Sequence, residues 1–318
     1  MSPTPDHGFR RVAIVGLGLI GGSLARALAA LDGPPRVAGS SDSASDLELA
    51  ERAGVIDAGS TDPQVVLEGA DLVVYATPLD VTLRLLADHR GRWSAGAVVT
   101  DVVSLKGPVE DVMGALGESA RYTGSHPMAG GEGSGFGHSA ADLFAGATVW
   151  LTGTGAGAPA VEALWQAVGA RPRWTTGAEH DRLMSWCSHL PQLASNALAR
   201  VLAESGHAPS DLGTGGADMV RLAGSSPGLW LPLLARSEGG DALRDLARVA
   251  REFADALDRR DLEAIDHWMR STRSWRAGTA EPAPPTSLAA PDGPGSPDSP
   301  PMRGRPPASP AKGSSTGR

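Results

Sequence analysis

A histidine within a glycine-rich segment is the strongest candidate for acid–base chemistry in this chain. Residues 124–135 read Gly-Ser-His-Pro-Met-Ala-Gly-Gly-Glu-Gly-Ser-Gly and follow a short strand predicted at 120–123. We expect the glycines to place His126 on flexible, exposed backbone, where its imidazole can take a proton from a hydroxyl group. The alternative is a loop histidine that only fixes the backbone, and the local sequence does not separate the two.

Ser104 is a second candidate, close to Lys106 and just beyond a predicted strand. A hydroxyl group at that position can hydrogen-bond an oxygen atom of a bound ligand. The alternative, compatible with the first, is a helix N-cap, because Gly107 and Pro108 open a helix.

Two further candidates lie in apolar, helical sequence. The segment 188–192 reads Ser-His-Leu-Pro-Gln, and a proline inside a helix removes a backbone hydrogen bond and kinks the axis. Such a kink would aim His189 and Gln192 into a cleft; the alternative is a surface histidine beside a tolerated kink. Arg221 lies among apolar neighbours, so its guanidinium meets either a ligand carboxylate or an internal acid such as Asp218.

A glycine fingerprint near the N terminus predicts a dinucleotide site. An apolar strand at 12–15 leads directly into Gly16-Leu17-Gly18-Leu19-Ile20-Gly21, and an amphipathic helix follows. Gly16 permits a tight turn, Gly18 lets a pyrophosphate approach the backbone, and Gly21 lets helix and strand pack closely. The amides of Leu19 and Ile20 lie at the start of the helix, where its positive end holds phosphates. A glycine-rich packing turn is the alternative.

The elements that position these residues alternate between strand and helix, which is typical of a doubly wound parallel sheet of the Rossmann type. Strands are predicted at 12–15, 36–41, 55–56, 71–76, 97–101, 120–123, 147–152 and 171–175, with helices at 45–53 and 158–169 among those between them. Ligands of such sheets lie beyond the carboxyl ends of the strands. We therefore expect the loops after Ala76, Val103 and Gly124 to surround the cofactor, with Thr77 and Pro78 in the first of them.

The sequence from about Glu179 onward predicts a second, all-helical domain, with helical segments at 209–223, 227–237 and 241–275. One such domain is too thin to enclose a substrate well, and its apolar helix faces favour pairing with a second copy. We therefore expect a homodimer formed through this domain. The predicted organisation is a flexible N terminus (1–9), a dinucleotide-binding domain (10–176), a helical substrate and dimerisation domain (177–276) and a disordered tail (277–318) rich in Pro, Gly and Ser.

The bulk properties exclude several classes of partner. A net charge of −8 and a pI near 5.5 argue against nucleic acid. No apolar run reaches the roughly 18 residues of a membrane span. The single cysteine, Cys187, excludes an internal disulfide, and its apolar setting predicts a buried, inert thiol. We expect a cytoplasmic protein with a small-molecule substrate and no metal.

Together these motifs resemble the prephenate/arogenate dehydrogenase family of tyrosine biosynthesis. The resemblance covers about residues 10–275 and rests on motifs in family order: GLGLIGGS, the segment 101–106, HPMAGGEGSG, SHLPQ and DMVRLAGSSPGLW. It implies oxidative decarboxylation of a cyclohexadienol acid. In that reaction hydride passes from the ring carbinol carbon to NAD(P)+, and the ring carboxylate leaves as CO2.

The resemblance also implies roles for individual residues. His126 would be the base and hydrogen-bond partner of the substrate hydroxyl, and Ser104 would share that hydroxyl. Arg221 would bind a substrate carboxylate, and Glu132 matches an acid that polarises or gates the site. The substrate pocket would be lined by two more residues, His189 and Gln192.

Two departures from the family pattern bear on cofactor and substrate. Ser41 stands where many NAD-using members place an acid, and Asp42 follows one position later. Small hydroxyls leave room for the 2′-phosphate of NADP, but no arginine is near and Asp42 would repel it, which favours NAD. Gln192 stands where some relatives carry histidine, so the choice between prephenate and arogenate stays open.

Two other functions fit part of the pattern. A β-hydroxyacid dehydrogenase or an imine reductase would also join a dinucleotide domain to helices, but the chain lacks a lysine in a G-x-x-x-K helical context. A non-catalytic NAD(P)-binding redox sensor would have no use for a hydroxyl base and an anion-binding arginine.

Overall fold

The computed structural model describes residues 8–131 and 133–279. Most of the predicted flexible N terminus (1–9), nearly all of the predicted disordered tail (277–318) and Glu132 lie outside the described residues. The strands are β1 (Arg11–Val15), β2 (Arg36–Ser40), β3 (Ala58–Ser60), β4 (Leu72–Tyr75), β5 (Val98–Asp101), β6 (Gly124–Pro127), β7 (Thr148–Thr152) and β8 (Arg171–Trp174). The helices are α1 (Leu19–Ala29), α2 (Ala44–Arg52), α3 (Leu79–Asp88), α4 (Gly107–Ala115), α5 (Ala158–Ala167), α6 (Gly177–Met184), α7 (Leu190–Glu204), α8 (Thr214–Val220), α9 (Pro227–Leu234), α10 (Gly239–Arg259) and α11 (Leu262–Arg276).

Five parallel strands form the main sheet, in the order β3-β2-β1-β4-β5. The central strand β1 is almost wholly apolar and buried because helices cover both faces of the sheet. Val12 pairs with Val37 on one side and with Leu72 on the other. This arrangement confirms the predicted doubly wound sheet, and the strand order reverses at β1, where such sheets bind ligands.

The last three strands form a separate sheet, in the order β6-β7-β8. β6 runs antiparallel to β7, whereas β7 and β8 are parallel. Ser125 of β6 ties this sheet to its surroundings, since its hydroxyl lies 2.8 Å from the hydroxyl of Thr100 and accepts a 3.0 Å bond from the indole of Trp165. The prediction of a strand at 55–56 is wrong in position, because the corresponding strand, β3, begins two residues later and occupies Ala58–Ser60.

The region after β8 is helical throughout the described residues, as predicted, but its boundaries differ. The helix predicted at 241–275 is two helices, α10 and α11, because Arg260 takes a left-handed conformation (φ 56°) and ends the first. Asp261 then caps α11 by accepting a 3.0 Å bond from the amide of Ala264. The described helices include none that is long and apolar enough to cross a membrane.

The chain falls into two compact units. The first ends at Glu252 and contains both sheets together with every residue discussed below as a site residue. The second begins at Phe253, and within it the rings of Phe253 and Trp268 pack at a tilt of 44° with centroids 4.3 Å apart.

Candidate active site

The glycine fingerprint forms the turn from β1 into α1, and its three glycines have different surroundings. Gly16 has φ +106°, and a Cβ atom there would lie 2.5 Å from the carbonyl oxygen of Ala76. A Cβ atom at Gly21 would lie 1.9 Å from the carbonyl oxygen of Gly16. A Cβ atom at Gly18 would meet nothing within 4 Å. The packing of the protein itself thus requires Gly16 and Gly21, whereas the space beside Gly18 is open to a ligand.

The start of α1 fits an anion. Gly18 is the N-cap residue, and no side chain among the described residues caps the helix there. The first amides of a helix have no partner within it, so those of Leu19 and Ile20 are available to a phosphate. This is the place where the sequence predicts the pyrophosphate.

The neighbouring strand ends contribute the other predicted cofactor residues. Ser41 follows β2 and is buried, with its hydroxyl accepting a 3.2 Å bond from the amide of Ser43, while Asp42 is exposed. Thr77 follows β4, and Pro78 is the N-cap residue of α3. The fingerprint turn and the end of β4 adjoin, because a Cβ atom at Gly16 would also lie 2.9 Å from the methyl group of Thr77.

His126 does not lie on exposed backbone, so that part of the prediction is wrong. It belongs to β6, pairs with Trp150 of β7, and is only 8% exposed. The later glycines of the segment, from Gly130 onward, follow the strand, whereas His126 itself is held by the pairing of β6 with β7. A base at this position is oriented by the fold rather than by a loop.

Two residues that were not predicted from the sequence, His180 and Asp181, form a series of hydrogen bonds that starts at His126. Its Nδ1 atom lies 2.9 Å from Nε2 of His180, and Nδ1 of His180 lies 2.8 Å from Oδ1 of Asp181. The backbone amides of Lys106 and Gly107, at the start of α4, donate to the two oxygens of Asp181 at 2.8 and 2.9 Å. The available signal was an adjacent His-Asp pair in the first turns of α6, directly after a Thr176–Glu179 capping box.

The surroundings keep His126 neutral and Asp181 ionised. Burial holds the pKa of the His126 imidazole well below its usual range, and the nearby His180 and Lys106 lower it further. Burial alone would raise the pKa of the Asp181 carboxyl, but the hydrogen bonds from His180 and from two backbone amides outweigh it, so the pKa is lowered. A neutral imidazole has a free lone pair, so His126 can accept a proton at neutral pH.

A buried ion pair lies next to β6 and is hydrogen-bonded to it. The ammonium group of Lys106 contacts Asp101, and both side chains are fully buried. Lys106 also donates a 2.6 Å bond to the carbonyl oxygen of Ser125, the residue before His126. Tyr122 donates a 2.5 Å bond to the other oxygen of Asp101.

Ser104 is half-buried in the short loop between β5 and α4. The N-cap alternative for it is wrong, because Lys106 occupies the N-cap position of α4 and no side chain caps that helix among the described residues. Its hydroxyl therefore has no capping role that would compete with binding a ligand.

The proline of the SHLPQ segment lies inside one uninterrupted helical run from Gly177 to Glu204, as predicted. Residues Ser185–His189 form a π-helical turn within that run, directly before α7, and Pro191 lies in the first turn of α7. His189 is fully buried, its ring lies 5.9 Å from that of Trp230, and neither ring nitrogen has a hydrogen-bond partner in the described part of the chain. The surface-histidine alternative is thus wrong. Cys187, predicted to be buried, is exposed.

Gln192 holds the turn that carries Arg221. Its buried amide donates to the carbonyl oxygen of Leu222 at 2.7 Å and accepts from the hydroxyl of Ser225 at 3.3 Å. One turn along α7, the hydroxyl of Ser195 accepts a 3.0 Å bond from the next backbone amide of the same turn. Arg221 itself is exposed at the start of this turn, which spans Arg221–Gly224.

Comparison with known proteins gives consistent matches. Two family models match: the nucleotide-binding domain of prephenate dehydrogenase over residues 24–172, and its dimerization domain over residues 176–271. A probable prephenate dehydrogenase of Streptomyces niveus is 32% identical over 257 residues, which are 78% of this chain and 68% of that protein.

Two solved structures are also similar. The prephenate dehydrogenase of Aquifex aeolicus in complex with hydroxyphenyl propionate and NAD+ has a TM-score of 0.78 and 25% identity, covering 85% of this chain and 98% of that one. The arogenate dehydrogenase of Synechocystis has a TM-score of 0.70 and 25% identity, covering 85% of this chain and 100% of that one.

Proposed function

Since this chain belongs to the prephenate dehydrogenase family, we propose that it oxidatively decarboxylates prephenate or arogenate with NAD+. The product is 4-hydroxyphenylpyruvate from prephenate, or tyrosine from arogenate. Aromatisation of the ring drives the reaction, so little covalent catalysis is needed. The protein has to align the substrate, accept the hydroxyl proton and hold the carboxylates.

When bound, NAD+ would supply the acceptor for the hydride of the ring carbinol carbon. Its pyrophosphate fits the open space beside Gly18, next to the amides of Leu19 and Ile20. Thr77 and Pro78 lie at the adjoining strand end. The exposed carboxylate after β2 would repel a 2′-phosphate, which favours NAD+ over NADP+.

His126 is the base in this proposal, and its environment is the observation that carries it. A buried imidazole whose pKa is lowered by burial is neutral at neutral pH and can accept the substrate hydroxyl proton. Ser104, without a capping role, shares a hydrogen bond with that hydroxyl. The alternative of a non-catalytic redox sensor does not account for a neutral base at this position.

The helical residues hold the substrate. Arg221 binds a carboxylate with its planar fork. His189 offers two ring nitrogens without partners in the described residues, as a pocket residue awaiting a polar ligand would. Gln192 affects substrate binding indirectly, because it holds the turn that carries Arg221. The pocket role of Glu132 stays a prediction, since that residue lies outside the described residues.

One assay tests this function. The purified chain is mixed with prephenate or arogenate and with NAD+ or NADP+, and formation of the reduced nicotinamide is followed by its absorbance. We expect turnover of at least one substrate, faster with NAD+ than with NADP+. If no combination is turned over under conditions in which NAD+ binds, the proposal is contradicted.

The dimer belongs to the same proposal. The matched dimerization domain covers residues 176–271, and large apolar side chains are exposed within it, including Val201, Met219, Leu229, Leu231 and Trp186. Burial of such side chains between two copies would be favourable, and light scattering measures the resulting mass directly. The domain boundary at 176/177 and the cytoplasmic location stay predictions.

A further inference from the structure

The imidazole of His126 is the first of three groups joined by hydrogen bonds. His180 is fully buried and lies between His126 and Asp181, at 2.9 Å from the first and 2.8 Å from the second. The rings of the two histidines meet edge to face, at an interplanar angle of 74°. Because β6 and α6 hold the two rings independently, the contact joins the second sheet to the first helix of the helical region.

Asp181, at the end of this hydrogen-bonded series, determines which ring nitrogen of His180 carries hydrogen. The carboxylate of Asp181 is ionised, and the backbone amides of Lys106 and Gly107 already donate to it. An ionised carboxylate can only accept, so Nδ1 of His180 carries a hydrogen atom and donates it. A base at His126 then requires Nε2 of His180 to be the acceptor, because a second donor there would occupy Nδ1 of His126 and leave the hydrogen of His126 on Nε2.

The same reasoning fixes His126. With Nε2 of His180 accepting, Nδ1 of His126 carries the hydrogen of that bond. The lone pair of His126 is then on Nε2, the ring nitrogen turned away from His180. In free imidazole side chains neither tautomer is imposed by such a partner, so the protein selects the form.

We infer that His180, held by Asp181, is a positioning residue that sets the tautomer of His126 so that Nε2 accepts the substrate proton. This inference rests on the proposed function only in that His126 is the base there. When Nε2 takes the proton, His126 becomes an imidazolium whose Nδ1–H still points to His180, and the charge is stabilised through that bond by Asp181. The logic is that of the histidine and aspartate of a hydrolase triad, with a second imidazole between them.

Two variants separate positioning from structure. His180→Leu removes the acceptor, whereas His180→Gln places an amide oxygen where it can accept from Nδ1 of His126. His89→Leu is the matched control, because His89 is likewise a buried histidine, 2.8 Å from the hydroxyl of Tyr75, and lies away from the site. For each full-length protein we would record kcat, KM and a long-range proton–nitrogen NMR spectrum of the imidazole nitrogens.

The expected results differ by variant. His180→Leu lowers kcat roughly 10-fold to 100-fold with KM little changed, because loss of a well-poised general base has effects of this order or larger. Its NMR spectrum shows His126 with the hydrogen on Nε2, whereas in the wild type it is on Nδ1. His180→Gln recovers most of kcat and the Nδ1–H form, and His89→Leu changes neither.

The NMR spectrum keeps this inference distinct from the proposed function, because it needs no substrate. A wild-type His126 with its hydrogen on Nε2, or a tautomer unchanged in His180→Leu, would overturn the inference even if the enzyme turns over prephenate. An Nδ1–H form lost in His180→Leu would uphold it even if neither substrate reacts. Loss of kcat in His180→Gln equal to that in His180→Leu, with both folded, would also count against it.

Discussion

The ammonium group of Lys106 contacts the carboxylate of Asp101, and both side chains are fully buried. The same lysine donates to the carbonyl oxygen of Ser125, and its backbone amide donates to Asp181. Lys106 therefore supports both β6, which carries the proposed base His126, and Asp181, the carboxylate that orients His126 through His180. Burial lowers the pKa of the Lys106 ammonium, and the adjacent Asp101 opposes that shift.

We expect Lys106→Met to destabilise the fold strongly. The substitution leaves the buried carboxylate of Asp101 without its cation, and breaking a buried pair in this way costs about 3–5 kcal/mol. The measurement is the free energy of unfolding in urea. The double variant Asp101→Asn/Lys106→Met removes both charges and should recover part of the loss. Equal stabilities of Lys106→Met and the wild type would show that the pair is not structural.

The three fingerprint glycines should respond differently to alanine. Gly21→Ala places Cβ 1.9 Å from the carbonyl oxygen of Gly16, and such overpacking costs about 3 kcal/mol. A Cβ atom at Gly18 meets nothing within 4 Å, so Gly18→Ala should cost at most about 1 kcal/mol, as a poorer N-cap, while the affinity for NAD+ falls. Unfolding in urea and a titration with NAD+ measure the two effects.

Gly137→Ala is the control for that pair, since its Cβ would also meet nothing within 4 Å and the residue lies outside the fingerprint. It should change neither stability nor affinity. If Gly18→Ala binds NAD+ as tightly as Gly137→Ala does, the pyrophosphate does not approach the backbone at Gly18.

The fingerprint was predictable because its signal is local. A strand, three glycines and a helix follow one another within residues 12–31, and the packing of Gly16 and Gly21 against Ala76 follows from that order. The sheet order and the all-helical region after β8 follow equally from alternating patterns along the chain.

The rest depended on contacts between distant residues. His126 is buried because β6 pairs with β7, which begins 21 residues after β6 ends, and its ring meets His180 across 54 positions of sequence. No periodicity encodes a hydrogen bond of that kind. The sequence did indicate an irregular helix at Pro191, and the irregularity is the π-helical turn that ends two residues before it.

Arg221→Ala should chiefly raise KM. The guanidinium binds a substrate carboxylate in the ground state and the transition state alike, and loss of such uniform binding leaves kcat nearly unchanged. Arg221→Lys should recover only part of the affinity because it lacks the bidentate fork. Steady-state kinetics with the accepted substrate measure both.

Gln192→Leu is a matched test of the same site. It removes the bond to the carbonyl oxygen of Leu222 that holds the Arg221 turn, so it should raise KM in the same direction as Arg221→Ala. An unchanged KM in Arg221→Ala would exclude the arginine as the anion-binding group.

Stability should fall below about pH 6.5. Burial lowers the pKa values of His89, His126 and His189 in the folded protein, whereas in the unfolded chain they are near 6.5. Between the folded and unfolded values the unfolded chain binds more protons, so the free energy of unfolding rises with pH there and is fully present above about pH 6.5. Urea unfolding across this range measures the slope.

His89→Leu removes one of these three groups and should make the slope shallower. A group contributes at most about 1.4 kcal/mol per pH unit, so the change is measurable. A free energy of unfolding that does not vary between about pH 7.5 and pH 5.5 would contradict the lowered values.

The kcat of His126→Asn tests the account most directly. It is measured at saturating NAD+ and saturating substrate, using whichever of prephenate and arogenate the wild type oxidises. We predict a fall of roughly 10²-fold to 10⁴-fold, the range typical of a lost general base, with KM and the unfolding midpoint close to those of the wild type. A folded His126→Asn protein with near-normal kcat would contradict the assignment of the base.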